Sequence, residues 1–154
     1  MNKMIAIAAA LLLAQNAHAH VTLEQRSATA GTYQKLTFRV GHGCQGSATR
    51  ALTVVMPEGV GAAKPMPKQG WKIAISPTEI TWTGGPLPDE YYDEFSMQAK
   101  LSPEAGKRYF KVVQTCVKGS MSWDELPGEA NVKLKAPAPV LDVLPSEAAP
   151  AHVH

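Results

Sequence analysis

The sequence lacks the features that mark nucleic-acid-binding, membrane-spanning and helical proteins. Its 15 basic and 13 acidic residues nearly balance, and the basic residues are scattered, so neither nucleic acid nor an anionic membrane surface is an expected partner. No window shows an apolar period of about 3.6 residues, which argues against amphipathic helices. Beyond residue 19 no apolar stretch approaches the roughly 20 residues that span a bilayer. The chain after that point is therefore expected to be soluble.

Aromatic residues are scarce, and no hydrolase motif is present. The chain has three Trp, four Tyr and three Phe, most of them in predicted strands. It has few left for the flat aromatic surface on which a polysaccharide-oxidising enzyme lays its substrate. No nucleophile elbow or Ser-His-Asp spacing is recognisable. We expect a binding protein, not an enzyme.

The first residues of the chain predict an export signal. Lys3 supplies a positive charge, the run from Ile5 to Ala14 has no charge or breaker, and Ala17 and Ala19 are the small residues that a signal peptidase requires. Cleavage is expected between residues 19 and 20. The predicted division is a signal peptide over 1–19, one domain over 20–136 and a tail over 137–154, and the product is expected to be periplasmic or otherwise exported.

Cleavage at this point makes His20 the first residue of the mature protein. The free α-amine and the imidazole Nδ1 of an N-terminal histidine can close a six-membered chelate around a metal ion. The amine has a pKa of about 7.7–8.0 in model peptides, so the metal must displace a proton at neutral pH. Cu(II) has the highest affinity of the divalent metals for nitrogen ligands, which makes copper the expected metal. The alternative is that the peptidase exposes His20 incidentally.

Only two cysteines are present, Cys44 and Cys116. An even count in an exported chain favours a disulfide, which would close a loop of about 73 residues and stabilise the fold by roughly 4 kcal/mol. The alternative is a pair of thiolate ligands for Cu(I).

Alternating apolar and polar residues predict short β-strands separated by Gly/Pro turns. The residues from Gln34 to Val40 place Leu36, Phe38 and Val40 on one face, and those from Glu94 to Leu101 place Phe95, Met97, Ala99 and Leu101 inward. Further strands are predicted over 21–23, 50–56, 71–75, 80–83, 94–101, 108–117 and 120–123, and Gly84-Gly85-Pro86 is expected to end the pair formed by 71–75 and 80–83. Seven to nine such strands predict an all-β fold, an antiparallel immunoglobulin-like or cupredoxin-like β-sandwich.

The segment from 137 to 154 differs in composition from the rest. It is rich in proline and alanine and ends in His152-Val153-His154, which predicts an extended, weakly ordered tail. The spaced histidine pair could bind a metal loosely, or it could be a solvated terminus without a role.

Several motifs together resemble the YcnI-like family of exported copper-binding β-sandwich proteins. The resemblance spans most of the mature domain and consists of His20-Val21-Thr22 directly after the signal, Pro65-Met66-Pro67 with Gly70-Trp71, Ile80-Thr81-Trp82-Thr83-Gly84-Gly85, the Phe95 strand and Trp123. It implies a monohistidine-brace copper site with three parts: an N-terminal histidine, a glutamate from the loop after the second strand, and a nearby tryptophan. His20 matches the histidine and Trp123 matches the tryptophan.

The sequence departs from the family pattern at the glutamate, because the loop from Gly41 to Thr49 contains no carboxylate. His42 lies in this loop, and imidazole is a good Cu(II) ligand, so His42 is the predicted substitute; otherwise it is a loop histidine without a metal role. Other candidate donors are Glu24 and Glu58 for Cu(II), and Met97 and Met121 for Cu(I). A methionine in a strand pattern more often fills the core.

We therefore expect a periplasmic copper-binding protein, a chaperone or buffer for Cu(II). The resemblance implies that its partners are other exported copper chaperones or a membrane protein of copper uptake, and a homodimer with copper between its chains is left open. The alternatives are a histidine-brace copper oxidoreductase and an exported β-sandwich interaction module that binds no metal.

Overall fold

The computed structural model describes residues 20–128 and 132–147. Within these ranges the chain forms twelve β-strands in three sheets and no helix. The strands are β1 (Thr22–Leu23), β2 (Ser27–Thr29), β3 (Tyr33–Val40), β4 (Thr49–Val55), β5 (Val60–Pro65), β6 (Trp71–Ile75), β7 (Glu79–Leu87), β8 (Asp93–Leu101), β9 (Gly106–Tyr109), β10 (Lys111–Cys116), β11 (Ser120–Trp123) and β12 (Val140–Leu144). The predicted all-β sandwich is confirmed.

One layer is a four-stranded sheet in the order β1-β3-β8-β5. In the antiparallel pairing of β3 with β8, Phe38 lies opposite Phe95, and both side chains are fully buried. The predicted inward residues of these two strands are all in the core: Leu36, Phe38, Val40, Phe95, Met97, Ala99 and Leu101. Alternation alone therefore placed this face correctly.

The second layer is a five-stranded sheet in the order β11-β10-β4-β7-β6. Leu52 and Val54 of β4 are fully buried, as is Trp82 of β7. The pairing of β6 with β7 ends at Gly84, opposite Trp71, as predicted, but β7 itself continues to Leu87. A side chain at Gly84 would meet the backbone of Gly70 at 2.2 Å, so glycine lets the chain continue beside its neighbour.

A third sheet, β2-β12-β9, was not expected from the sequence. β12 pairs in parallel with β2 and antiparallel with β9, and its Leu141 and Val143 are buried. The assignment of 137–154 to a weakly ordered tail was therefore wrong for Val140–Leu144, whose apolar residues alternate into the core. His152 and His154 lie outside the described residues, as does the predicted signal peptide.

The predicted strand over 108–117 is divided in two. β9 belongs to the three-stranded sheet and β10 to the five-stranded sheet, and Phe110 lies between them. Phe110 is fully buried and packs edge-to-face on Phe38, with ring centroids 5.3 Å apart. The core thus continues through the point where the chain changes sheets.

A disulfide joins Cys44, in the loop after β3, to Cys116 at the end of β10, with the two Cα atoms 6.0 Å apart. The disulfide prediction is confirmed, and the alternative of thiolate metal ligands is wrong because both sulfurs are engaged. In the described part of the chain, no helix has the length and hydropathy that a membrane span requires.

Candidate metal centre

Three of the predicted site residues meet at one end of the sandwich. Thr22 of β1 pairs with Arg39 of β3, and extending this antiparallel register by two residues places His20 opposite Gly41. His42 follows directly, in the loop that connects the four-stranded sheet to the five-stranded one. Trp123 is the last residue of β11, the edge strand of the second sheet. The site thus lies where the two sheets meet.

Both histidine rings lie against the same indole. The ring centroids of His20 and Trp123 are 5.6 Å apart with the planes tilted by 54°. Those of His42 and Trp123 are 6.1 Å apart at 66°. Trp123 is only 1 % exposed, whereas both histidines are half-buried. Both imidazoles are therefore partly exposed, and both pack on the buried indole of Trp123.

The ring of His42 has one nitrogen directed at its own backbone. Nδ1 makes a short contact with the carbonyl oxygen of Gly43. A carbonyl oxygen only accepts hydrogen bonds, so Nδ1 carries the proton and Nε2 holds the free lone pair. Histidines that bind metals commonly donate their second ring N–H to a backbone carbonyl in this way. The tautomer of His42 therefore suits a metal bound at Nε2.

The loop that carries His42 is fixed from several sides. The backbone N–H of Gly43 donates to Asp89 Oδ1 at 2.8 Å, Cys44 and Ser47 exchange two backbone hydrogen bonds, and Lys118 N donates to Ser47 Oγ at 2.8 Å. A Cβ on Gly43 would lie 1.9 Å from the carbonyl oxygen of Ser47. With the disulfide at Cys44, these contacts leave the loop little freedom.

Gln114, on β10 below this loop, was missed by the sequence analysis. Its side chain is fully buried and hydrogen-bonds both the backbone of His42 and the indole of Trp123. The signal was present, because residues 112, 114 and 116 share the inward face of the strand and a glutamine among inward residues must have partners.

The two carboxylates considered as ligands lie elsewhere. Glu24 Oε1 binds Arg39 at 2.8 Å. The hydrogen bond that Arg39 Nε donates to Glu94, together with the charge of Glu24, raises the pKa of Arg39. Glu58 follows β4, whereas the His42 loop precedes β4, so Glu58 lies at the far end of that strand. The sequence analysis did not single out Asp89, the carboxylate that contacts this loop.

The two methionines considered as Cu(I) ligands pack in the core or against it. Met97 is buried in the core. Met121 is half-buried, packs against the core and lies opposite Gln114 in the ladder. Across the residues described by the structure, no group of three or more His, Cys, Asp or Glu side chains is arranged to hold a metal ion. A site at this position therefore depends on the α-amine of His20, which only chain cleavage creates.

A groove of about 470 Å³ opens beside His20. Its walls are the first residues of the domain and the approach to β12: His20, Val21, Thr22, Leu23, Arg26, Pro137, Ala138, Pro139 and Val140. The lining is mostly apolar, with Arg26 as its one charged residue. The groove gives another molecule access to one side of His20.

The structure resembles solved immunoglobulin-like proteins. The crystal structure of an uncharacterized protein from Nocardia farcinica with an immunoglobulin-like fold is 27 % identical; the match covers 81 % of this chain and 98 % of that one with a TM-score of 0.73. A type I cohesin–dockerin complex from Clostridium thermocellum covers the same shares at 9 % identity with a TM-score of 0.51, which shows likeness of fold alone. No curated protein matches the chain.

A protein-family model matches residues 20–79 and 75–143. The matched region begins at His20 and includes His42, Gln114 and Trp123. It also extends through β12, in agreement with the corrected domain boundary. The chain therefore belongs to the family described as "Domain of unknown function (DUF1775)".

Proposed function

We propose that the mature protein, beginning at His20, binds Cu(II) and acts as an exported copper chaperone or buffer. The α-amine and Nδ1 of His20 form the chelate, and Nε2 of His42 supplies a third nitrogen. The observation that carries the proposal is the placement of both histidine rings on Trp123, at 5.6 and 6.1 Å. His20 and His42, which were chosen from the sequence as candidate metal ligands, thus pack against the same indole ring.

The donor set fits Cu(II) in kind. Amine and imidazole nitrogens are ligands of intermediate softness, which Cu(II) prefers, and three of them suit its tetragonal geometry. His42 already directs its Nδ1 to a backbone carbonyl, so the ring need not change tautomer when a metal binds. Asp89 accepts one hydrogen bond from Gly43 through Oδ1, and water or a carboxylate fills the remaining position on the metal.

Export and family membership are parts of the same proposal. The family match starts at the residue that the predicted cleavage would make the first, and a buried disulfide is expected in an oxidising compartment. We assign the protein to the YcnI-like copper-binding group within its family, with His42 in place of the family glutamate. Its location is the periplasm or another exported space.

We favour a carrier of copper over an enzyme. His20 is half-buried, just before the edge strand β1 and beside an open groove, so an acceptor can approach the metal and replace its few ligands. The recipient is another exported copper chaperone or a membrane protein of copper uptake. The rival oxidoreductase has one observation in its favour: Tyr91 and Tyr92 are 65 % and 71 % exposed, in the loop of Asp89.

The test is an anaerobic Cu(II) titration of the protein beginning at His20, followed by electron paramagnetic resonance. We expect one tight tetragonal site with nitrogen couplings, lost in His20→Ala and retained in the control variant His152→Ala/His154→Ala. Binding that survives in His20→Ala and disappears in the control would place the metal on the terminal histidines and favour the interaction module. Sustained consumption of reductant and oxygen by the loaded protein would favour the oxidoreductase.

A further inference from the structure

Gln114 is the most restricted polar side chain near the candidate centre. It is 0 % exposed and lies in β10, between β4 and β11. Burying an amide without partners is costly, yet its hydrogen-bonding groups are satisfied. Nε2 donates to the carbonyl oxygen of His42 at 2.7 Å and to Thr49 Oγ1 at 2.8 Å, and Oε1 accepts from Trp123 Nε1 at 3.1 Å.

These partners fix the direction of the amide. The carbonyl of His42 can only accept a hydrogen bond and the indole of Trp123 can only donate one. The NH₂ group of Gln114 must therefore point to His42 and its oxygen to Trp123. No other uncharged side chain of this length offers a donor and an acceptor in this arrangement. A glutamate would fit the space but would present only acceptors when ionised.

The indole hydrogen bond is specific to this tryptophan. Trp82 is as deeply buried as Trp123, yet its Nε1 has no hydrogen-bond partner within the described residues. Among the described side chains, one buried indole N–H is therefore paired by a protein group and the other is not. The pairing at Trp123 accordingly holds one ring in place below the two histidines.

We propose that Gln114 is a positioning residue, which fixes Trp123 relative to His42 and through them sets the geometry of the copper ligands. The inference rests on the proposed function, since it concerns the same site. Its amide links the backbone that carries one ligand to the ring against which both ligands pack. Nearby partners of this kind commonly change metal affinity by about 10–100-fold when removed.

The first measurement uses the metal-free protein beginning at His20, by nuclear magnetic resonance. In Gln114→Met, the Trp123 indole N–H should exchange with solvent at least about tenfold faster, because its acceptor is gone, and the ring-current shifts of His20 and His42 should decrease. Ser96→Ala is the matched control, because it removes a buried hydrogen bond of 2.9 Å to Thr37 in the other sheet. It should leave these signals unchanged.

The second measurement is the Cu(II) titration with paramagnetic resonance on the same variants. We expect Gln114→Met and Gln114→Glu to bind about tenfold or more weakly with altered nitrogen couplings, and Ser96→Ala to match the wild type. Unchanged ring-current shifts, or changed shifts with unchanged copper spectra, would overturn the inference. If Gln114→Met does not fold, both measurements are made on Gln114→Glu, which fits the same space but cannot donate to the His42 carbonyl when ionised.

The two measurements separate the two proposals. If the wild type binds no copper, the proposed function fails, and the metal-free shifts still show whether Gln114 positions the rings. If the wild type binds copper through His20 but Gln114→Glu binds it identically, only the role of Gln114 is lost.

Discussion

The imidazole of His20 packs on the indole of Trp123, with 5.6 Å between the ring centroids. His20 lies just before β1, whereas Trp123 is the last residue of β11. The contact crosses from the edge of one sheet to the edge of the other. Trp123 is buried and hydrogen-bonded, so the ring of His20 packs on a surface that is itself fixed. If cleavage makes His20 the first residue, this contact restricts the position of its α-amine.

Retaining Ala19 ahead of His20 is expected to weaken Cu(II) binding sharply, because the chelating amine becomes an amide. In the mature protein the amine must lose its proton, so affinity should rise with pH, by up to about tenfold per unit, below the amine pKa of about 7.7–8.0. In the extended protein that nitrogen is an amide. Competition titrations at pH 6 and pH 7.5 on both proteins test this, and equal affinities would contradict the chelate.

Loss of the His42 imidazole is expected to weaken copper binding without unfolding the domain. Removing the hydrogen-bond partner of a metal ligand commonly lowers metal affinity about 10–100-fold. Removing the ligand itself should lower the affinity for copper by at least as much. His42→Ala should melt near the wild type because the ring is half-buried and its loop is held by other contacts. Gln45→Ala, on an exposed residue of the same loop, is the control. Unchanged copper spectra in His42→Ala would make His42 a loop residue only.

A methyl group at Gly43 is expected to displace the loop that carries His42. The added Cβ would lie 1.9 Å from the carbonyl oxygen of Ser47, so Gly43→Ala should lower the free energy of unfolding by about 1–3 kcal/mol and weaken copper binding. Gly61→Ala is the matched control, because nothing lies within 4 Å of its Cβ position. Urea denaturation of both variants tests this, and equal stabilities would show that the loop relaxes freely.

Removing the disulfide is expected to destabilise the domain by roughly 4 kcal/mol, the loop-entropy value for a closed loop of about 73 residues. Cys44→Ala/Cys116→Ala should also bind copper more weakly, because Cys44 anchors the loop that follows His42. Chemical denaturation with and without reductant provides the comparison. If the free energy of unfolding falls by less than about 1 kcal/mol, the hydrogen bonds of the loop are sufficient to hold it without the disulfide.

The sequence was most informative where one face of a strand is buried. In β3 and β8 every predicted inward residue is in the core, because side chains alternate across a sheet. Alternation did not predict that Thr37 and Ser96, on the opposite face, are also buried, where they hydrogen-bond each other. The prediction failed where the pairing is distant. β2 and β12 pair in parallel from opposite ends of the domain, and nothing local in a proline-rich segment indicates such a partner.

Chemistry alone selected His20, and a resemblance selected Trp123 and suggested the loop of His42. The residues that hold them were not visible in the same way. Gln114 and Asp89 act through hydrogen bonds to residues 72 and 46 positions away, and the meaning of a buried amide depends on what faces it. Local patterns carry no information about such contacts.

The amino-acid sequence by itself determined the strand character of the chain, its inward faces, the cysteine pair and the histidine that cleavage would expose, because these follow from side-chain chemistry and local periodicity. Only the tertiary structure decided which strands share a sheet, that Val140–Leu144 belongs to the domain, and that His20 and His42 meet on Trp123. The reason is physical: sheet registers and side-chain contacts are set by packing between segments far apart in the chain.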